Sequence, residues 1–427
     1  MSLGESGVRF AQANPDPSPS ASRLKSKAFP LSTVLNMTIK EKRRVLSGVR
    51  KLQFGPESDV FSNALGIVLS HLERKNIEYR DILCMSGRAF RLTWNNRFWN
   101  WEKFMDKPDP DAEYYLRNDY ETIRDAFEAA GCEHEILFNR GCRNPEEKKY
   151  GALTRRKDYG AFVNNEDVRR RVLQSIHDEE RPVVALLSVT GELWAPEWCI
   201  ITGYADSGDV ITGWSCFQDT PEGKKHVQYE PDGYFRLKEW EKEALTVVLV
   251  GPKKEHALSE EEVARRVLEY AVRYSQGSIK GQESMGFDSY TAWAKAIEDE
   301  SITSMDYRIL EGKILYHRHF IGHLAAQKWY TSDYLHNMKH KGWNVSDVLY
   351  ASANYAKIHE LMWDCWKIFG GYWRDIKGEV EKSRDGKAHQ EVASIIHKAK
   401  KLDMDAVDHL KSALENLAKT HGYYLSS

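Results

Sequence analysis

The chain of 427 residues lacks several features that would assign it to a protein class at once. Its six cysteines include no Cys-x-x-Cys pair, which argues against a disulfide framework or a zinc site and favours buried thiols in a reducing compartment. No apolar run approaches the roughly 20 residues of a membrane span, and no apolar signal core stands near the start. We therefore expect a cytoplasmic protein with no membrane partner.

The chain also lacks an excess of charge of either sign. Its 61 Lys and Arg residues nearly balance 63 Asp and Glu residues, for a formal net charge of -2. This balance argues against a nucleic-acid partner, because such binding usually depends on a general basic field. The aromatic content is high, with 13 Trp and 21 Tyr, which suits a ligand cleft, a large core or a homo-oligomer interface equally well.

Three regions follow from composition and periodicity. Residues 1–35 are rich in Ser, Pro and Ala, which predicts a disordered N-terminal arm. Residues 36–258 show helical spacing first and strand-like runs afterwards, which predicts an α+β domain with a mainly antiparallel sheet. Residues 259–427 begin at a helix-capping serine, Ser259, and keep helical spacing to about residue 422, which predicts an all-α helical domain.

The same spacing predicts individual elements in the α+β domain. Helices are expected at residues 61–74, 79–85, 121–130 and 168–176. Strands are expected at residues 89–94, 135–138, 182–189, 198–204, 209–217 and 245–250, with a hairpin turn at 205–209.

The most informative segment is Gln53-Phe-Gly-Pro-Glu-Ser-Asp59-Val-Phe-Ser-Asn-Ala-Leu-Gly-Ile-Val-Leu69. It resembles the start of the nucleophile-bearing helix of a papain-like enzyme. In that layout the positive end of the helix lowers the pKa of a cysteine thiol, and the glutamine amide stabilises the developing oxyanion. Here Asp59 stands where the thiol should be, six residues after Gln53. The segment therefore predicts the papain-like fold but lacks the residue that papain-like chemistry needs.

Two further segments extend the resemblance. Met85-Ser-Gly-Arg-Ala-Phe-Arg-Leu-Thr-Trp94 is similar to a Ser-Gly-x-Ala-Phe-Arg signature, and residues 195–219 resemble the histidine strand and the next strand, whose end supplies the orienting residue. Together they resemble a bacterial papain-fold family related to the N-terminal domain of butirosin biosynthesis protein H and to the double-glycine leader peptidases. The likeness reaches into the helical half. It implies a papain-like cysteine-peptidase fold followed by a helical domain.

The resemblance also implies a site without the usual Cys-His pair. Gln53 matches the oxyanion glutamine, Asp59 replaces the cysteine, and Glu197 stands where the leader peptidases have histidine. Gln218 and Asp219 are alternatives for the orienting position. Cys199 does not replace the nucleophile, because it lies on a predicted strand rather than at a helix N-terminus.

The carboxylates of Asp59 and Glu197 allow several interpretations. Asp59 is either an ordinary helix-capping aspartate or, with Glu197 across the cleft, half of an acid–base couple or a divalent-cation site. We expect Asp59 at the N-terminus of a buried helix that faces the Glu197 strand. If the fold is right, the two carboxylates meet across the cleft within ~4–6 Å, where like charges cannot both ionise freely, so one pKa should rise.

Arginines and aromatic residues complete the candidate site. Arg88 and Arg91 either bind an anionic group of a substrate or form ion pairs with the site carboxylates. Trp94 and Trp198 are expected to line the pocket. In the helical half, His319 and His323 have the i, i+4 spacing of a metal-binding pair, but no accompanying motif supports a metal site.

These features support two functional hypotheses. The leading hypothesis is a papain-like scaffold that binds a small or peptidic ligand and performs amide hydrolysis or acyl transfer in secondary-metabolite or peptide processing. The alternative is a pseudo-enzyme, that is, a catalytically inactive ligand-binding or sensing protein with the same fold. The hypotheses differ at residue 59, because covalent acyl chemistry of the papain type needs a thiol. We expect no metal and no cofactor.

Overall fold

The structure is a computed structural model that describes residues 41–53, 59–100, 120–143, 160–189, 196–218, 220–338, 345–369 and 376–421. The predicted N-terminal arm at 1–35 lies outside these residues. Residues 39–427 form one compact unit, which contains all the elements below. The fold is mixed α+β, with a large sheet and a helical C-terminal region, as the sequence predicts.

The helices are α1 (Val60–Glu73), α2 (Tyr79–Met85), α3 (Asn96–Trp99), α4 (Tyr120–Ala130), α5 (Asn165–His177), α6 (Pro221–His226), α7 (Glu260–Ser275), α8 (Phe287–Ile297), α9 (Tyr307–Met338), α10 (Val345–Phe369), α11 (Ile376–Lys382) and α12 (Gly386–His421). The strands are β1 (Arg44–Val45), β2 (Thr93–Asn95), β3 (Cys132–Asn139), β4 (Ala161–Val163), β5 (Val183–Leu187), β6 (Glu197–Ala205), β7 (Val210–Trp214), β8 (Gln228–Tyr229), β9 (Phe235–Lys238), β10 (Ala244–Lys253), β11 (Ser278–Lys280) and β12 (Glu283–Met285).

The large sheet has the order β4-β3-β10-β5-β6-β7-β9-β8, with β1 paired to β6. Its pairings are antiparallel except for β3 with β4. The sheet is therefore mainly antiparallel, as predicted. All residues of β5 and β7 are buried, which fits their sequences without charged residues, Val-Val-Ala-Leu-Leu and Val-Ile-Thr-Gly-Trp. Because α1 packs against β5 and β6, it lies over the middle of the sheet.

Most predicted elements of the α+β region are present, with boundaries within about three residues. The clear exception is the predicted strand at 89–94. Its first half is a 3₁₀ turn at Arg88–Phe90, and only β2 follows as a strand. The turn begins at Gly87, whose φ of 75° lies in the left-handed region that glycine adopts without steric cost. This turn directs the Arg88 side chain towards α1, which matters for the site.

The C-terminal region is helical but contains a β-hairpin that the prediction of an all-α domain missed. Strands β11 and β12 pair with each other, and β12 pairs with β2 in the register Glu283 to Asn95. The partner of β12 lies nearly 190 residues earlier in the chain. Local periodicity does not reveal such a pairing, since β2 and β12 have three residues each.

Two hydrophobic clusters hold the chain together. The first surrounds the large sheet and includes α1, α4 and α5. The second lies among the C-terminal helices, and it also contains residues from α2 to α3, among them Leu83, Phe90 and Trp94. The segment 79–99 therefore packs with the helices that follow residue 258, and the predicted domain boundary at 258/259 stays a prediction.

Among the described residues, the three longest helices are α9, α10 and α12, with 32, 25 and 36 residues. Each mixes apolar residues with charged ones along its length. Within the residues that the structure describes, no helix combines the length and the apolar character needed to cross a membrane.

Candidate functional site

Asp59 lies at the N-cap position of α1 and is only 6% exposed. Its backbone is extended, with φ -103° and ψ 94°, but its side chain makes no capping hydrogen bond to the helix backbone. The carboxylate instead accepts a hydrogen bond from the Ser62 hydroxyl and pairs with the guanidinium of Arg88, whose Nε lies 2.7 Å from Oδ2 of Asp59. The simple capping interpretation therefore does not describe this aspartate.

Arg88 is held on several sides. Besides Asp59, its Nη1 donates to the Thr122 hydroxyl of α4 at 3.1 Å, and its guanidinium carbon lies 5.9 Å from the centre of the Phe61 ring. Arg88 thus forms an ion pair with a site carboxylate, one of the two interactions that the sequence predicts for it. Its side chain keeps 23% of its surface exposed, so part of the guanidinium remains accessible.

Arg91 takes a different direction. Its Nη2 lies 3.2 Å from a carboxylate oxygen of Glu121, and its guanidinium carbon lies 3.9 Å from the centre of the Tyr274 ring. These contacts join the turn after α2 to α4 and α7. The structure therefore brings Arg88 to Asp59 and directs Arg91 to other elements.

Glu197 is the first residue of β6, the strand against which α1 packs. The two elements meet where the Phe61 and Trp198 rings contact edge to face, with centroids 5.0 Å apart. Glu197 is half-buried, and burial raises its pKa to about 7, with the negative charge of Asp59 as the second cause. A carboxyl with this pKa exists in both protonation states near neutral pH.

All six cysteines of the chain are buried, and none of them forms a disulfide. Cys199 lies on β6 near Glu197, and its Sγ is 3.4 Å from the Glu197 backbone oxygen. Burial raises the pKa of Cys199, and likewise that of Cys216 near the end of β7. Both thiols therefore stay protonated, which is the opposite of an activated nucleophile.

The helical region reaches the same site through α9. The Gln327 amide nitrogen donates to the Arg88 backbone oxygen at 3.1 Å and lies 2.9 Å from Nε2 of His323. Burial lowers the pKa of His323 to about 4; His319 and Arg88 also lower it, and Asp59 opposes them. The sequence showed His323 only as half of a metal-like spacing, and no local signal connects residue 323 with residue 59.

The remaining predicted residues have different surroundings. Trp94 is completely buried among aromatic rings of the second hydrophobic cluster, so its contacts are with the core. Trp198 is 5% exposed and packs on Phe61. Gln53 is exposed at the end of the described range 41–53. Asp219 lies outside the described residues.

Gln218 is buried and stabilises the segment after β7. Its Oε1 accepts a hydrogen bond from the Ser215 backbone N–H at 2.8 Å, and its Nε2 donates to the Gly233 backbone oxygen. Both polar ends of the amide are thus occupied by backbone groups. This arrangement fixes the chain between β7 and β9.

The surroundings of His319 and His323 bear on their metal-like spacing. In the described part of the chain, no three His, Cys, Asp or Glu side chains come together as a metal site. Gln327 lies against Nε2 of His323, and the positive charge of Arg88 acts on the same imidazole. A cation bound by His319 and His323 would compete with the Gln327 amide for Nε2 of His323 and would be repelled by the charge of Arg88.

The site therefore combines Asp59, Arg88 and Glu197 from the α+β region with His323 and Gln327 from α9. It offers a neutralised ion pair, a carboxyl that titrates near neutrality and a neutral imidazole. In comparisons with known proteins, no protein-family model and no curated protein matches the chain.

Proposed function

We propose that this chain is a ligand-binding protein on a papain-like scaffold, in which an ion-paired aspartate replaces the nucleophile. The observation that carries the proposal is the state of Asp59. Its carboxylate, at the N-terminus of α1, is engaged by Arg88 and Ser62 and is nearly inaccessible. A group neutralised in this way is a structural element of a site rather than an attacking group.

The surroundings of the cysteines support the same proposal. Papain-type acyl transfer needs a thiolate near the positive end of a helix. The thiols nearest the site, Cys199 and Cys216, are buried, and their pKa values are raised. By the family resemblance, the ligand would be a small or peptidic molecule from secondary-metabolite or peptide processing.

Glu197 is the group that we expect to contact this ligand. It is half-buried at the start of its strand, and the negative charge of Asp59 acts on its carboxyl. In its protonated form it donates a hydrogen bond, and in its ionised form it accepts one. This property suits a ligand with amide or carboxyl groups.

The test is a binding screen with a matched control. Free and N-acylated dipeptides are titrated against the wild type and the Glu197→Gln and Glu360→Gln variants, with the dissociation constant measured by calorimetry. Glu360 is an exposed carboxylate on α10 and serves as the control. We expect Glu197→Gln to weaken binding about ten-fold or more, because the neutral amide of glutamine cannot offer the charged, two-oxygen acceptor of the ionised carboxylate, while Glu360→Gln has no effect. Equal affinities for all three proteins would refute the proposal.

A second candidate function follows from the position of Glu197 at the start of β6, where burial and the negative charge of Asp59 raise its pKa to about 7. General acid–base catalysis is most efficient when the pKa of the catalytic group lies near the working pH. Glu197 would then activate a water molecule for hydrolysis of an amide bond in the same ligand. Iodoacetamide-resistant turnover of a bound dipeptide, abolished in Glu197→Gln, would favour this candidate over simple binding.

A further inference from the structure

Gln327 connects the two halves of the site through a single side-chain amide. Its nitrogen donates to the Arg88 backbone oxygen at 3.1 Å and lies 2.9 Å from Nε2 of His323. Gln327 is buried, so this amide has little access to water. Arg88 in turn pairs with Asp59. The contacts form a continuous chain from α1 through the turn after α2 to α9.

The chain of contacts fixes the orientation of the Gln327 amide. A backbone oxygen only accepts hydrogen bonds, so the atom of Gln327 that faces the Arg88 oxygen must be the amide nitrogen. The opposite orientation would place two acceptors 3.1 Å apart. The same nitrogen has a second hydrogen, and this hydrogen points to Nε2 of His323.

The amide orientation in turn fixes the tautomer of His323. Because Gln327 donates, Nε2 of His323 must carry the lone pair, and the proton of the neutral imidazole lies on Nδ1. Protonation of Nε2 would oppose the donor of Gln327. Among the described residues Nδ1 has no hydrogen-bond partner in the structure, and the His323 side chain is only half-buried.

We infer that His323 supplies a hydrogen-bond donor, Nδ1–H, to the ligand site, and that the ligand carries a carbonyl or carboxylate oxygen at this position. This inference rests on the proposed function and names the part of the ligand that α9 recognises. The neighbouring charge supports it, because the partly exposed guanidinium of Arg88 also favours an oxygen acceptor. Ligand binding would then couple the sheet region to the helical region through Gln327.

The first experiment tests the tautomer without any ligand. Long-range ¹⁵N–¹H correlation spectra of ¹⁵N-histidine-labelled protein at pH 7 should show His323 as the Nδ1–H tautomer, assigned by its absence in His323→Asn. In Gln327→Glu the carboxylate cannot donate, so the His323 signal should change to an Nε2-protonated form. An Nε2–H tautomer in the wild type would overturn the inference and would leave the proposed function intact.

The second experiment tests the donor with two probes, N-acetylglycine and N-acetylglycinamide, in calorimetric titrations. The amide nitrogen of Asn at position 323 occupies the place of Nδ1, whereas that of Gln extends to the place of Nε2. We therefore expect His323→Asn to keep the affinity within about three-fold and His323→Gln to lose about ten-fold, the value of one hydrogen bond to a charged or polar oxygen. His256→Gln, at an exposed histidine outside the site, is the matched control.

The possible outcomes distinguish the role of His323 from the proposed ligand-binding function. Equal losses in His323→Asn and His323→Gln would show a merely structural role for His323 and would overturn the inference. If neither probe binds the wild type, the oxygen-acceptor class is wrong for this site. Loss of binding in Glu197→Gln together with unchanged binding in both His323 variants would support the proposed function and refute the role of His323. Circular dichroism of each variant ensures that only folded proteins are compared.

Discussion

Nε of Arg88 lies 2.7 Å from Oδ2 of Asp59, and this ion pair joins the start of α1 to the turn after α2. Because Ser62 donates to the same carboxylate, the aspartate is satisfied without capping its own helix. The pair has a consequence for chemistry. Residue 59, which the proposed papain-like scaffold equates with the position of a reactive thiol, contains a neutralised and buried charge.

We expect Asp59→Asn to destabilise the protein by about 2–3 kcal/mol. A guanidinium that loses its partner in a mostly buried site costs about 3–5 kcal/mol, and the partial exposure of Arg88 reduces this value. Urea unfolding at pH 7 measures the change, with Asp405→Asn, at an exposed residue of α12, as the control. The double variant Asp59→Asn/Arg88→Met should recover part of the loss. Wild-type stability in Asp59→Asn would contradict the assigned ion pair.

Glu197→Gln should have a pH-dependent effect on stability. The pKa of Glu197 rises from 4.5 to about 7 in the folded protein, so the folded state holds this proton more tightly than the unfolded state. The stability from this group is complete below pH 4.5 and is lost as the pH rises through 7. At pH 8.5 the ionised carboxylate costs up to about 3 kcal/mol, which glutamine does not.

The measurement is urea unfolding of the wild type and Glu197→Gln at pH 5 and pH 8.5. The variant should exceed the wild type by less than about 1 kcal/mol at pH 5 and by up to about 3 kcal/mol at pH 8.5, whereas Glu360→Gln should show no such trend. A variant that is less stable than the wild type at the higher pH would mean that the charged form of Glu197 has a favourable partner.

The cysteines should resist alkylation in the folded protein. All six are buried, and burial raises the pKa of five of them, Cys84, Cys132, Cys199, Cys216 and Cys365. Because the thiolate is the reactive form, iodoacetamide at pH 7.5 should add to the native chain at least about 100-fold more slowly than to the chain in urea. Intact-mass spectrometry follows both reactions. Rapid modification of native Cys199 alone would identify it as an activated thiol.

A second buried ion pair should stabilise the helical region. Nζ of Lys328 lies 2.7 Å from Oδ2 of Asp403, both side chains are 4% exposed, and the Tyr290 hydroxyl donates to the same oxygen at 2.8 Å. Lys328→Met leaves Asp403 charged and buried, which should cost about 3–5 kcal/mol in urea unfolding. Lys401→Met, at an exposed lysine of the same region, should have no measurable effect. A loss below about 1 kcal/mol would show that Asp403 finds another partner.

Local sequence was sufficient for the regular elements around the site. The apolar spacing after Asp59 predicted α1, and the Val- and Ile-rich runs predicted β5, β6 and β10, because burial of one face or of both faces imposes these periods on the sequence. The sequence also placed Asp59 at the start of its helix and Glu197 near the start of its strand.

Contacts between distant segments were not predictable in the same way. The pairing of β2 with β12 and the sharing of a hydrophobic cluster between residues 79–99 and the C-terminal helices depend on chain packing, which leaves no periodic signal. For the same reason, the sequence did not show which of the two arginines, Arg88 or Arg91, pairs with Asp59. Both follow the same turn, and only the positions of α1, α4 and α7 decide which arginine reaches Asp59.

The sequence by itself therefore determined the α+β class, the helical C-terminal region and the absence of a thiol at residue 59, since composition, period and residue identity are local properties. The tertiary structure alone decided the electrostatics of the site. The pKa values of Glu197 and His323 depend on how much water each side chain loses and which charges lie near it, and those neighbours come from segments far apart in the chain.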